Sequence, residues 1–266
     1  MQNIDMILLL QPVLAIAMSV AGILYWRRRR GFRAILLLLA LPAYAVAIAL
    51  KVVIQAFTYT AVSNYYGTMS VEVGLYFGLQ TVFLEVGLAY VFASLAVRRL
   101  GLGPADGVSY GLSLAFWENG ALLGALPVLN LIVDYYLIAS GSSVGQLVYS
   151  TLMNASPTYF LPPSDLIWFL LLGTLERLTS MLTHVAFGTL CVLAAFTRRK
   201  RFLAYALPMG LLDALVPFAS LNVDLFEGGI FLLSLGFIAV AWRSLKQAGT
   251  MVASPEPSPP QTVQTS

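Results

Sequence analysis

Glu85, Glu118, His184 and Asp213 each stand near the middle of a long apolar run. A charged group at the centre of a bilayer costs at least ~2.5–3.5 kcal/mol on insertion scales, so such groups face one another or a water-filled cavity and mark function by default. Three carboxylates and the chain's only histidine point to hydrolysis or ion handling inside a membrane. Two neighbouring carboxylates in a low-dielectric site resist double ionisation, so one can act as base and the other as acid or positioner. A histidine opposite them can donate to a developing oxyanion. Each residue also has a structural alternative: a lone glutamate can sit protonated as a hydrogen-bond donor, and His184 or Asp213 can bond across helices.

Helical spacing places these groups on polar or small-residue faces. Glu85 shares a face with Gly78, Thr81 and Ala89, and Glu118 with Gly107, Gly111, Ala115 and Ala121. Runs of small residues let helices approach closely. Arg177, Ser180, His184, Gly188 and Cys191 form a third stripe. Asp213 lies between Pro208 and Pro217, where the loosened backbone ladder leaves room for water or a ligand. Glu176, Arg177 and Asn119 are supporting candidates nearby in sequence.

The elements that must carry these residues follow from composition. Of 266 residues, 59% are hydrophobic and 10% charged, against roughly 25% charged in soluble domains. Several apolar runs exceed the ~20 residues that span a bilayer as a helix, and they are continuous rather than alternating, which excludes a membrane barrel. The fold class is all-α and polytopic, with spans at 5–26, 33–59, 73–97, 106–128, 172–197, 202–221 and 228–245. Residues 1–247 read as one transmembrane domain and 248–266, rich in Pro, Ser, Thr and Gln, as a disordered cytoplasmic tail. The net charge of +3 is not a nucleic-acid signature, because the basic residues cluster at helix ends: Arg27–Arg30 with Arg33, Arg98–Arg99, Arg198–Arg201, and Arg243 with Lys246. Placed in the cytoplasm, these clusters set the N-terminus outside and the C-terminus inside. Only Lys51 and Arg177 fall elsewhere. The first run reads as a retained helix, since basic residues follow it rather than precede it. The 129–171 connection then lies outside. It contains an apolar Val144–Met153 stretch too short to span, readable as part of a folded outer loop or as a substrate lid. One cysteine, Cys191, excludes an internal disulfide, and a single histidine excludes every two-histidine metal motif.

Two segments carry a family resemblance. Asp106–Gly107–Val108–Ser109–Tyr110–Gly111, continuing to Phe116–Trp117–Glu118–Asn119, resembles the signature helix of PrsW-type membrane proteases. The order of motifs over about 73–220 is similar to YhfC-type intramembrane peptidases. A Glu-bearing helix ending in basic residues is followed by a Y-G…E helix, by Glu176–Arg177 leading to His184, and by a helix ending in Asp213. Both groups are distant kin of the CAAX-processing and bacteriocin-processing membrane proteases. The resemblance implies that Glu85, Glu118, His184 and Asp213 form the catalytic set of an intramembrane peptidase in a prokaryotic cell membrane. Its substrate would be a membrane-embedded or membrane-proximal peptide, and its surroundings the lipid bilayer. Two positions depart from that pattern: Leu114 and Met209 stand where relatives carry histidine, and neither can bind a divalent metal as imidazole does.

The expected function is therefore peptide-bond hydrolysis by glutamate-activated water, with His184 stabilising the oxyanion. No cofactor is expected; if a divalent metal binds, His184, Glu118 and Glu85 are its ligands. The alternatives are a catalytically inactive relative serving as a membrane scaffold and, third, a proton-coupled carrier. The carrier reading is weakened by the absence of repeated halves in the sequence.

Overall fold

The computed structural model describes residues 4–253, with side chains up to Gly249. Its helices are α1 (Met6–Arg30), α2 (Ile35–Tyr66), α3 (Val71–Leu100), α4 (Asp106–Ala139), α5 (Ser143–Ala155), α6 (Pro163–Thr197), α7 (Lys200–Leu221) and α8 (Val223–Ala253). All but α5 are long and apolar enough to cross a membrane, and there is no strand among the described residues. The chain is an all-α polytopic membrane protein. The last helix continues to Ala253, so the greater part of the tail expected over 248–266 lies outside the described residues.

The fourth and fifth spans run further than hydropathy indicates, to Ala139 and back to Pro163. Pro127 lies inside α4, directly after its π-helical stretch Phe116–Ala125, and the helix continues through it to Ala139. Pro163 opens α6 at the first helical position, where a missing N–H costs little. The connection shrinks to 140–162, and its apolar stretch becomes α5, N-capped by the Ser142 hydroxyl oxygen, which accepts from the Gly145 N–H.

Helix α6 is central: 67% of its spanning window is buried, against 17–33% for the other six. It packs against α4, α8, α7 and α3. Glycines set two of the closest crossings. A Cβ at Gly111 would lie 2.6 Å from the Val185 Cα, and one at Gly188 would lie 2.5 Å from the Gly111 Cα, so α4 and α6 touch backbone to backbone. On the other side α3 meets α7, where a Cβ at Gly74 would lie 2.3 Å from the Ala214 carbonyl and one at Gly210 2.9 Å from the Val82 nitrogen. Small residues at such contacts supply the close packing that associates helices in lipid. The Tyr110 hydroxyl donates to the Ala89 carbonyl (3.0 Å) and the Trp117 indole to the Leu37 carbonyl (2.7 Å), tying α4 to α3 and α2. Cys191 is buried beside the Val86 carbonyl, a packing role. The basic clusters gather at one end of the bundle, where Arg33 pairs with Asp106 at 3.4 Å.

Candidate active site

The three carboxylates stand on backbone that is not α-helical. Glu85 lies in a π-helical stretch of α3, Thr81–Val86, and Glu118 in another of α4, Phe116–Ala125. Asp213 lies in the 3₁₀ stretch Leu211–Leu221 of α7, between its two prolines. π-Helical turns are rare, widen the helix and recur at functional sites. His184 is carried by the unbroken helix α6.

These elements bring Glu85, Glu118 and His184 together. The His184 Nε2 lies 2.8 Å from one Glu118 oxygen and 3.5 Å from one Glu85 oxygen. Ser180, one turn before His184, donates its hydroxyl to the other Glu118 oxygen at 3.1 Å. Tyr44 packs edge-on against the imidazole and Phe187 tilts against it. All these groups, with Lys51 and Asp213, line a cavity of about 320 Å³, within the size range of ligand pockets.

The imidazole is oriented by its other nitrogen. Nδ1 is 2.9 Å from the Ser180 carbonyl oxygen, which only accepts, so Nδ1 carries a proton. In the neutral ring Nε2 is then a bare lone pair aimed at the Glu118 carboxylate. Two lone pairs at 2.8 Å require a cation between or beside them, either a proton or a metal ion. Beyond these carboxylate–imidazole contacts, neither that Nε2 nor the facing Glu118 Oε2 has a hydrogen-bond partner among the described residues, and both atoms are buried. One atom each from Glu85, Glu118 and His184 lies within 4.8 Å of the others. A nitrogen and two carboxylate oxygens with an anchored imidazole form a donor set suited to a divalent ion.

The remaining candidates surround this cluster. Arg177 approaches Glu118 at 3.7 Å, pairs closely with Glu176, and contacts Asn119 at 3.5 Å. Asn119 donates to the Ser180 hydroxyl at 3.2 Å. Asp213 stands apart from His184 and is joined instead to Thr81 and to Lys51, which also bonds Glu85. Sequence reasoning set Lys51 aside as a basic residue outside the clusters. The usable signal was its position, about halfway along a 32-residue apolar helix. Thr81 and Ser180 were visible as members of the right faces but without an assigned task. Leu114 and Met209 border the site, Leu114 beside Glu85 and His184 and Met209 on the main cavity wall.

Seven membrane-length helices around a buried histidine–glutamate cluster define a polytopic membrane protein with a metal-suited core. The description of YhfC intramembrane metalloproteases matches residues 13–238, and the chain belongs to that family. No curated protein matches it, and no solved structure does. The expectation that no cofactor is needed finds no support. It rested on the missing histidines at 114 and 209, whereas Glu85, Glu118 and His184 bring three ligand atoms together without them.

Proposed function

We propose that this chain hydrolyses a peptide bond in or near the bilayer, with Glu118 as the base. The observation that carries this reading is the pair of buried acceptors facing each other at 2.8 Å, His184 Nε2 and a Glu118 oxygen, beside Glu85. Glu85, Glu118 and His184 would hold a divalent ion, which when bound would make a water readily deprotonated and polarise the scissile carbonyl. Glu118 takes a proton from the attacking water and returns it to the leaving amine as the C–N bond breaks. Ser180 steadies the Glu118 carboxylate, and the Ser180 carbonyl holds His184 in the ligating tautomer. Arg177, reaching the cavity beside Glu118, offers positive charge to the carbonyl oxygen as it becomes an oxyanion. The π-helical backbone presents both glutamates to one cavity. The substrate class is a membrane-embedded or membrane-proximal peptide.

The test is direct. Zinc-loaded protein in lipid nanodiscs, mixed with a panel of membrane-spanning peptides, should generate new termini detectable by mass spectrometry. If no peptide is cut, and cells lacking the protein show unchanged membrane-peptide processing, the inert-scaffold reading replaces this one.

The proposed orientation places the N-terminus outside, with all basic clusters in the cytoplasm. A Gln146→Cys substitution in α5 should then react with a membrane-impermeant maleimide added to intact cells. Gln146 is exposed, whereas a side chain at Gly145 would strike the Leu137 carbonyl, and buried Cys191 gives little background. Labelling only after the membrane is opened would reverse the topology.

A further inference from the structure

We infer that Lys51 is the positioning residue of this site: it sets the geometry of Glu85, and through it metal affinity, without contacting substrate. The inference rests on the metal-binding reading above and adds a residue that the ligand set does not include.

A count of protons separates positioning from catalysis. An ammonium has three N–H donors. Lys51 Nζ places them at 2.6 Å from Glu85 Oε1, 2.8 Å from Thr81 Oγ1 and 3.2 Å from Asp213 Oδ2. None remains for a substrate carbonyl, which separates Lys51 from an oxyanion donor. Thr81 donates its own proton to the same Asp213 oxygen, so the ring of bonds closes. This brace joins α2, α3 and α7 through a side chain only 14% exposed.

The brace also fixes which Glu85 oxygen does what. Oε1 is held by Lys51, and Oε2 points to His184. Without the lysine, the Glu85 side chain is free to rotate within the cavity, and Asp213, 39% exposed, loses the charge that draws it toward α3. In this arrangement Asp213 is a support for Lys51 rather than a group that meets the reacting atoms.

Charge and position predict opposite signs. A cation beside a metal site repels the metal, so if Lys51 acted through charge alone, Lys51→Met would tighten zinc binding. Loss of an outer partner that orients a ligand instead weakens metal affinity, typically by ~10–100-fold. We expect Lys51→Met to weaken zinc binding within that range, measured by chelator competition on the full chain in detergent. Lys51→Arg should weaken it as well, because a planar fork cannot place three divergent donors as an ammonium does. Thr81→Val, which keeps every charge, should weaken it in the same direction and serves if the Lys51 variants do not fold. Zinc affinity equal to or tighter than wild type in a folded Lys51→Met or Thr81→Val protein overturns the inference. Wild-type protein that binds no zinc overturns the metal reading instead.

Discussion

Glu118→Gln is expected to lower peptide cleavage by about 10²–10⁴-fold while leaving the protein folded and inserted. Glutamine keeps the side-chain shape and can still accept the Ser180 hydroxyl that now reaches Glu118. It cannot take up a proton as a base, and it removes one of the two anionic groups nearest His184. Measuring zinc content alongside rate separates those losses. Retained zinc with lost cleavage assigns Glu118 to proton transfer; loss of both makes it chiefly a ligand. Glu85→Gln should fall as far in rate, with the zinc loss dominating, since the Glu85 oxygens already serve Lys51 and His184. Cleavage at the wild-type rate in both variants would remove the glutamates from the reaction.

Removal of the metal should abolish cleavage. A small membrane-permeant chelator, applied until zinc is undetectable, is expected to bring activity to background, and added zinc should restore it. His184→Ala should give the same loss without rescue, because it removes the one nitrogen ligand and exposes Glu118 and Glu85 to each other. Activity that persists after exhaustive chelation would return the chain to carboxylate-activated water without a metal. That outcome would also give the missing histidines at Leu114 and Met209 their earlier weight.

Much of this architecture is legible in the sequence because lipid imposes a simple rule. Seven apolar runs became seven spanning helices, and Glu85, Glu118 and His184 stood out because each is costly alone in hydrocarbon. Their convergence is consistent with the small-residue faces that carry them, since Gly111 and Gly188 meet at the α4–α6 crossing. What hydropathy hid has physical causes. The fourth span reads as ending at 128, whereas the helix continues through Pro127 to Ala139, beyond a backbone change that leaves no mark in composition. Lys51 was unreadable as a site residue because its three partners come from α3 and α7, far along the chain. Depth counting puts Asp213 level with the other three but gives no direction around its helix, so its bonds to Lys51 and Thr81 were not legible. The π-helical stretches were invisible for the same reason: periodicity assumes one constant turn.

Those stretches have a consequence for how such a chain can vary over time. In α3 the crossing glycine Gly78 precedes Glu85 by seven residues, and in α4 the crossing glycine Gly111 precedes Glu118 by seven. A widened turn begins inside each interval, at Thr81 and at Phe116. With ~3.6 residues per turn of ordinary helix, one residue gained or lost there swings the carboxylate by roughly 100° about the axis. The interval thus behaves as a ruler, and apart from Thr81 its length matters more than the identity of what fills it. Exchanging Leu114 for another apolar residue preserves the ruler; a single-codon insertion or deletion breaks it. Drift in the apolar filler of these intervals is therefore free to alter letters but not spacing, and an indel between glycine and glutamate is the mark by which a descendant that has lost its site would be known.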